Sequence, residues 1–222
     1  MRAPPVVRGG TAVRWASLAV GLFLFAAGIV AILESKLGLS PWDVLNQGVS
    51  RHTPLSFGQA NIAIAVVVLL IGLTLRAPIG TGTVANAILI GVFVDRLLAI
   101  GWVDGLSGQG LVVRIALLFG GIAVIGLGSG FYIGASLGAG PRDSLMLVLS
   151  ERSRFRIGLV RAALEGLALL VGFALGGTVG LGTLAFAVLI GPAVEASFWL
   201  LERLGLAHPS GLKIDLGDEP AY

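Results

Sequence analysis

Long apolar runs alternate with short polar segments along the whole chain. A bilayer core of about 30 Å is crossed by roughly 20 apolar residues of helix. Six runs meet that length: 13–33, 57–75, 83–100, 112–133, 158–175 and 183–201. They are continuously apolar and lack the dyad alternation of barrel strands. An open strand edge would also find no hydrogen-bond partner in lipid. The pattern therefore predicts an all-α polytopic membrane protein with six transmembrane helices. The first run follows a few arginines, as a signal peptide would. At about 19 residues (15–33) it is too long for a signal-peptide core, and no small-x-small site follows it. It reads as a retained span.

Composition sharpens this picture. Hydrophobic residues make up 56% of the 222 residues and charged residues only 12%, about half the usual share in soluble domains. The mean hydropathy is +0.96. Too little charged surface remains to cover a soluble core, which excludes a water-soluble enzyme and a disordered tail. The pI near 10.0 does not indicate nucleic acid, because the basic residues lie between apolar runs and form no single stripe. Cysteine is absent, so disulfides, thiolate metal sites and cysteine nucleophiles are excluded. His52 and His208 are far apart in sequence, and no metal or cofactor is expected.

The arginines and lysines set an orientation. With the N-terminus inside, the inner segments hold ten: Arg2, Arg8, Arg14, Arg76, Arg142, Arg152, Arg154, Arg156, Arg203 and Lys213. The outer segments hold Lys36, Arg51, Arg96 and Arg114, and Arg161 lies within a span. The positive-inside rule favours both termini in the cytoplasm.

Sliding the chain by 100 residues exposes a duplication. The segment Leu37-Gly38-Leu39-Ser40-Pro41-Trp42-Asp43-Val44-Leu45 falls on Leu137-Gly138-Ala139-Gly140-Pro141-Arg142-Asp143-Ser144-Leu145. Gly58 falls on Gly158, Gly72 on Gly172, Gly91 on Gly191 and Asp95 on Glu195. Residues 21–104 and 121–204 share 23 identities over 84 positions. Apolar bias alone would not bring Pro, Asp and several glycines into one register. Three spans per unit is an odd number, so the second unit enters the membrane from the opposite side. The expected organisation is a cytoplasmic tail (1–12), a first repeat (13–104), a second, inverted repeat (112–203) and a cytoplasmic tail (204–222). Secondary transporters of this build hold their sites near the midplane, between the repeats.

The paired L-G-x-[S/G]-P-x-D-x-L segments follow the first span of each repeat. Proline suits the first helical turn. Ser40 is a good N-cap, and Asp43 three residues on resembles a capping box; Gly140, Pro141 and Asp143 repeat the spacing. Each motif predicts a short helix, 41–50 and 141–150, about 15 Å long. These helices are either interfacial, with the aspartates as caps, or re-entrant, with two positive helix ends directed at the bilayer centre.

Other polar points carry alternatives too. Arg161 and Glu165 are four apart on one helical face and can pair. Asp95, followed by Arg96, and Glu195 are expected to anchor at the interface. Asn61 and Asn86 are expected to form interhelical hydrogen bonds. The glycine pairs at 80/82 and 180/182 predict tight turns with Thr83 and Thr183 as N-caps. Gly126, Gly130, Gly134 and Gly138 form a strip for close packing between the repeats.

The motifs L-G-L-S-P-W-D-V-L with F-G-Q, and L-G-A-G-P-R-D-S-L-M-L with G-L-V-R-A-A-L-E, resemble those of the YczE-type bacterial membrane proteins, relatives of the wider YitT group. The resemblance runs from about residue 13 to 204. It implies a protein of the bacterial cytoplasmic membrane and brings no catalytic residues with it. The leading functional expectation is a small transporter or channel-like protein for an unknown small solute or ion. Its pathway residues would be Asp43, Asp143, Trp42, Arg142, Arg161 and Glu165. The alternative is a non-transporting accessory or assembly protein acting through helix–helix contacts. An enzyme is not expected, since no catalytic triad or G-x-S-x-G elbow is present. The expected surroundings are the lipid bilayer, with a second copy of the chain as a candidate partner.

Overall fold

A computed structural model describes residues 5–208. Arg2, Lys213 and most of the C-terminal tail lie outside the described residues. Those residues form eight α-helices: α1 (Thr11–Ser35), α2 (Pro41–His52), α3 (Phe57–Thr74), α4 (Thr81–Ile100), α5 (Leu111–Gly134), α6 (Pro141–Ser153), α7 (Ile157–Ala174) and α8 (Leu181–Arg203). All but α2 and α6 are long and apolar enough to cross a membrane. The two short helices follow α1 and α5, where the proline motifs place them, and run two or three residues longer than expected. A two-residue strand β1 (Val6–Val7) pairs antiparallel with β2 (Ala207–His208) and ties the two ends of the chain together.

The helix boundaries follow from local chemistry. Ser40 caps α2, its Oγ accepting the Asp43 N–H, and Pro41 occupies the first turn. Ser56 and Gln59 form a full capping box at α3. The turns entering α4 and α8 differ from expectation. Gly80 and Gly180 are the N-caps, and Thr83 and Thr183 sit three residues inside, where each Oγ1 accepts the glycine N–H. A glycine has no side chain with which to cap, so the threonine reaches back instead. Thr83 is fully buried. Thr83→Val keeps the shape but orphans the Gly80 N–H, and should cost about 1 kcal/mol, read as a lower thermal midpoint in detergent.

The core lies where α1 crosses α5. Leu18, Leu22, Ile29 and Ile32 pack with Ile122 and Ile125. Glycines let the two backbones nearly touch. A Cβ on Gly28 would lie 2.6 Å from the Gly121 carbonyl oxygen, and one on Gly128 would lie 2.6 Å from that of Gly21. This is the close approach that small residues permit between membrane helices. The glycine strip lies on a different face. Gly126 and Gly130 meet Ala193 and Ser197 of α8, Gly134 faces Pro5 and Val7, and Gly138 lies in the loop after α5. Gly126 is five residues from Gly121, about 140° around a 3.6-residue helix. Gly126 and Gly130 thus pack α5 on α8 within its own half, whereas Gly134, Gly138 and the Gly121/Gly128 face meet the other half.

Contacts between the halves come in matched pairs. Gly82 N–H donates to the Leu137 carbonyl and Gly182 N–H to that of Leu37, both at 2.8 Å. Arg14 donates to the carbonyls of Ala135 and Ser136, and Arg114 to those of Ser35 and Lys36. Gly38 (φ +120°) and Gly138 (φ +132°) hold conformations that a side chain would strain, each pressed against the threonine turn of the opposite half. α2 packs on α7, and α6 on α3. Large apolar side chains such as Val112, Leu170 and Leu181 remain on the outside, as a lipid-facing surface requires.

Candidate functional site: a cavity between two proline-started helices

The starts of α2 and α6 face each other across a cavity of about 480 Å³. Ser40, Pro41, Trp42 and Asp43 line it from one half, and Gly140, Pro141, Arg142 and Asp143 from the other. α7 adds Arg161 and Glu165, and α8 adds Glu195. The size is within the range of small-molecule sites.

The two aspartates are held differently because residue 40 is serine and residue 140 is glycine. The Asp43 carboxylate accepts from Ser40 Oγ at 2.5 Å and from Asn46 Nδ2 at 3.1 Å, and all three residues are buried. Asp143 lacks a serine and instead accepts from the Tyr132 hydroxyl at 3.3 Å. Arg142 extends across the cavity so that its Cζ lies 4.7 Å from the centre of the Trp42 ring. In that position its charge acts on both Asp43 and Asp143. Arg161 donates to Glu165 at 2.9 Å, and its charge also acts on Asp143. The chain thus brings two acids of one motif, two guanidiniums and two further acids, Glu165 and Glu195, to one space. Cation–π and charge contacts bridge its halves.

Asp43, Asp143, Trp42, Arg142, Arg161 and Glu165 all border this one cavity. Ser40, Pro41, Gly140 and Pro141 form the two helix starts behind them. Asn61 and Asn86, expected to bond between helices, line the cavity instead, and neither side chain makes a hydrogen bond among the described residues. Tyr132 carries no sequence signal, since a tyrosine within an apolar run has no partner until α5 is placed beside α6. Asp95 is held by the start of α3. It accepts from the Ser56 hydroxyl and from the Gly58 N–H at 2.8 Å, which closes α4 onto the start of α3. The reason is spatial: Gly58 lets the α4 backbone come close enough for the carboxylate to cap α3.

Residues 12–197 match the family model described as a family of unknown function, DUF6198. The chain is 38% identical over 181 residues to "Uncharacterized membrane protein YczE" of Bacillus subtilis, covering 80% of this chain and 82% of that one. It is 36% identical over 193 residues to an "Uncharacterized protein" of Haemophilus influenzae, covering 83% and 85%. A second Bacillus subtilis protein, "Uncharacterized protein YyaS", is 28% identical over 187 residues, covering 83% and 92%. No solved structure matches. With the family match spanning nearly every helix of a six-span apolar architecture, the chain belongs to the DUF6198 family and is a YczE-type multi-pass membrane protein.

Proposed function

We propose that this protein is a small transporter or channel-like protein of the bacterial cytoplasmic membrane, with both termini cytoplasmic, and that solute passes through the cavity between α2 and α6. It is built as two inverted three-span repeats and carries out no chemical conversion. The carrying observation is the cavity itself: both copies of the proline motif contribute the same four positions to one space. The matched Gly82/Leu137 and Gly182/Leu37 bonds and the matched Arg14 and Arg114 bonds support a two-fold relation between the halves. In this reading α2 and α6 are re-entrant, since their starts meet deep in the molecule and each carries a positive helix end. The lining holds four carboxyl side chains (Asp43, Asp143, Glu165, Glu195) and two guanidiniums (Arg142, Arg161). That excess favours a cation over an anion.

The test is flux in vesicles reconstituted with the purified protein, using sodium, potassium, guanidinium, choline and chloride as probes. Flux of at least one cation is expected, and Asp143→Asn should lower it at least tenfold in protein that stays folded and monodisperse. No flux of any probe, together with a stoichiometric protein partner in pull-downs, would favour the accessory reading. Free labelling of Ser40→Cys and Gly140→Cys, each from its own side by an impermeant reagent, would overturn the re-entrant reading.

A further inference from the structure

Aligned at the offset of 100, the two halves differ most where the third helix of each meets the fourth. In the first half α3 and α4 are closed onto each other. Gly58 and Gly91 lie backbone against backbone, so that a Cβ on either would collide with the other's carbonyl oxygen. Asp95 seals the contact through the Gly58 N–H and the Ser56 hydroxyl. The matching residues in the second half are Arg156, Gly158, Gly191 and Glu195. The glycines are the same and an acid stands in the same register, yet the contact is absent. A Cβ on Gly158 or on Gly191 would meet nothing within 4 Å. Glu195 is exposed, borders the cavity, and makes no hydrogen bond or ion pair among the described residues.

The far end of α7 is pinned. A Cβ on Gly172 would lie 2.6 Å from Leu45 Cα in α2, and one on Gly48 would lie 2.8 Å from the Gly172 carbonyl oxygen. The matching pair, α6 on α3, has Val148 in place of Gly48, and a Cβ on Gly72 would meet only Ala77, at 3.4 Å. So the molecule is tight at the α2 end, through both α3/α4 and α2/α7, and loose at the α6 end. α8 carries Pro192 beside Gly191. Proline offers no N–H to the Val188 carbonyl, which gives α8 a place to bend.

We propose that the gap between α7 and α8 is the open gate of the cavity, and that the closed α3/α4 contact is its counterpart. The protein exchanges the two: Gly158 closes on Gly191, and Glu195 takes the Gly158 N–H while pairing with Arg156, where the first half uses Asp95 and Ser56. Closure at one end with release at the other opens the cavity to alternate sides, as rocking of one repeat against the other does in carriers. The gate is a statement about shape; only its purpose rests on the transport reading.

The chain has no cysteine, so introduced pairs report alone. The open space at both positions lets G158C and G191C seat without strain. In the full-length protein in vesicles, the G158C/G191C pair should form a disulfide under mild oxidation, whereas G166C/G191C should stay reduced. Asp95→Ala, which releases the closed latch, should raise impermeant-maleimide labelling of N61C from the α2 side several-fold. A G158C/G191C protein that is monodisperse but stays reduced overturns the gate, as does N61C labelling that Asp95→Ala leaves unchanged. Flux that persists at full rate in the oxidised double variant also overturns the gate and leaves transport standing. Disulfide formation in a protein with no flux of any probe keeps the gate and removes the transport reading.

Discussion

Replacing Arg142 by methionine is expected to remove about 3 kcal/mol of stability, visible as a fall in thermal midpoint and in the yield of monodisperse protein. Asp43 is buried, and Asp143 is half-buried. Arg142 is the cation that reaches both. Taking one partner out of a buried charged cluster leaves the others unpaired, and such deletions cost roughly 3–5 kcal/mol. The low end applies because Arg142 itself is only partly covered. Arg142→Lys keeps the charge but gives up the planar stack over Trp42, so it should recover most of the loss and leave a deficit of about 1 kcal/mol. Pairing Arg142→Met with Asp43→Asn should restore part of the stability, since the amide needs no counter-charge. A double variant no better than Arg142→Met would show that the two charges do not depend on each other.

Gly28→Leu should be more damaging still. The α1–α5 seam is the centre of the molecule, and its glycines face backbone atoms that cannot rotate away. At Gly28 a Cβ would meet the Gly121 carbonyl oxygen at 2.6 Å and a side-chain carbon of Ile125 at 2.5 Å. Overpacking a core usually costs 1–3 kcal/mol, and more where the structure cannot yield. Here α1 and α5 must separate along their length, so the expected cost is above roughly 3 kcal/mol, with aggregation or degradation of the variant. Gly120→Leu is the control. A Cβ there meets nothing within 4 Å, so it should leave folded yield unchanged or slightly improve helix stability. Equal behaviour of the two variants in size-exclusion chromatography would contradict the seam as described.

Much of the architecture is legible in the sequence for a simple reason. Whether a segment spans a bilayer depends on the summed polarity of about 20 consecutive residues, a local property. The same holds for α2 and α6, because Ser40-Pro41 and Gly140-Pro141 begin helices by chemistry within four residues. The duplication is equally one-dimensional. The caps of α4 and α8 lie three residues before the threonines because each glycine cap borrows a hydroxyl from the next turn. Of the glycine strip, Gly134 and Gly138 meet the other half and Gly126 and Gly130 meet α8, because spacing reveals a face and not what meets it.

The six residues Asp43, Asp143, Trp42, Arg142, Arg161 and Glu165 around the cavity illustrate the same boundary. Intramembrane charges stand out one at a time because charge in lipid is costly. That Arg142 would lie over Trp42, 100 positions away, was not visible, nor was the Tyr132 contact to Asp143. Both depend on how separate helices are placed in space, across 100 positions in one case and across the turn between α5 and α6 in the other.

The sequence by itself determined the number of spans, the two short helices, the duplication and the family, because each is written in neighbouring residues or in a fixed offset. Only the tertiary structure decided that both motifs share one cavity, that Gly21, Gly28, Gly121 and Gly128 form the seam, and that α3 closes on α4 while α7 stands off α8. Nearly equivalent residues, Gly58, Gly91 and Asp95 against Gly158, Gly191 and Glu195, take opposite arrangements. Packing in one half limits the space left for the other, so the same short pattern is compatible with both states.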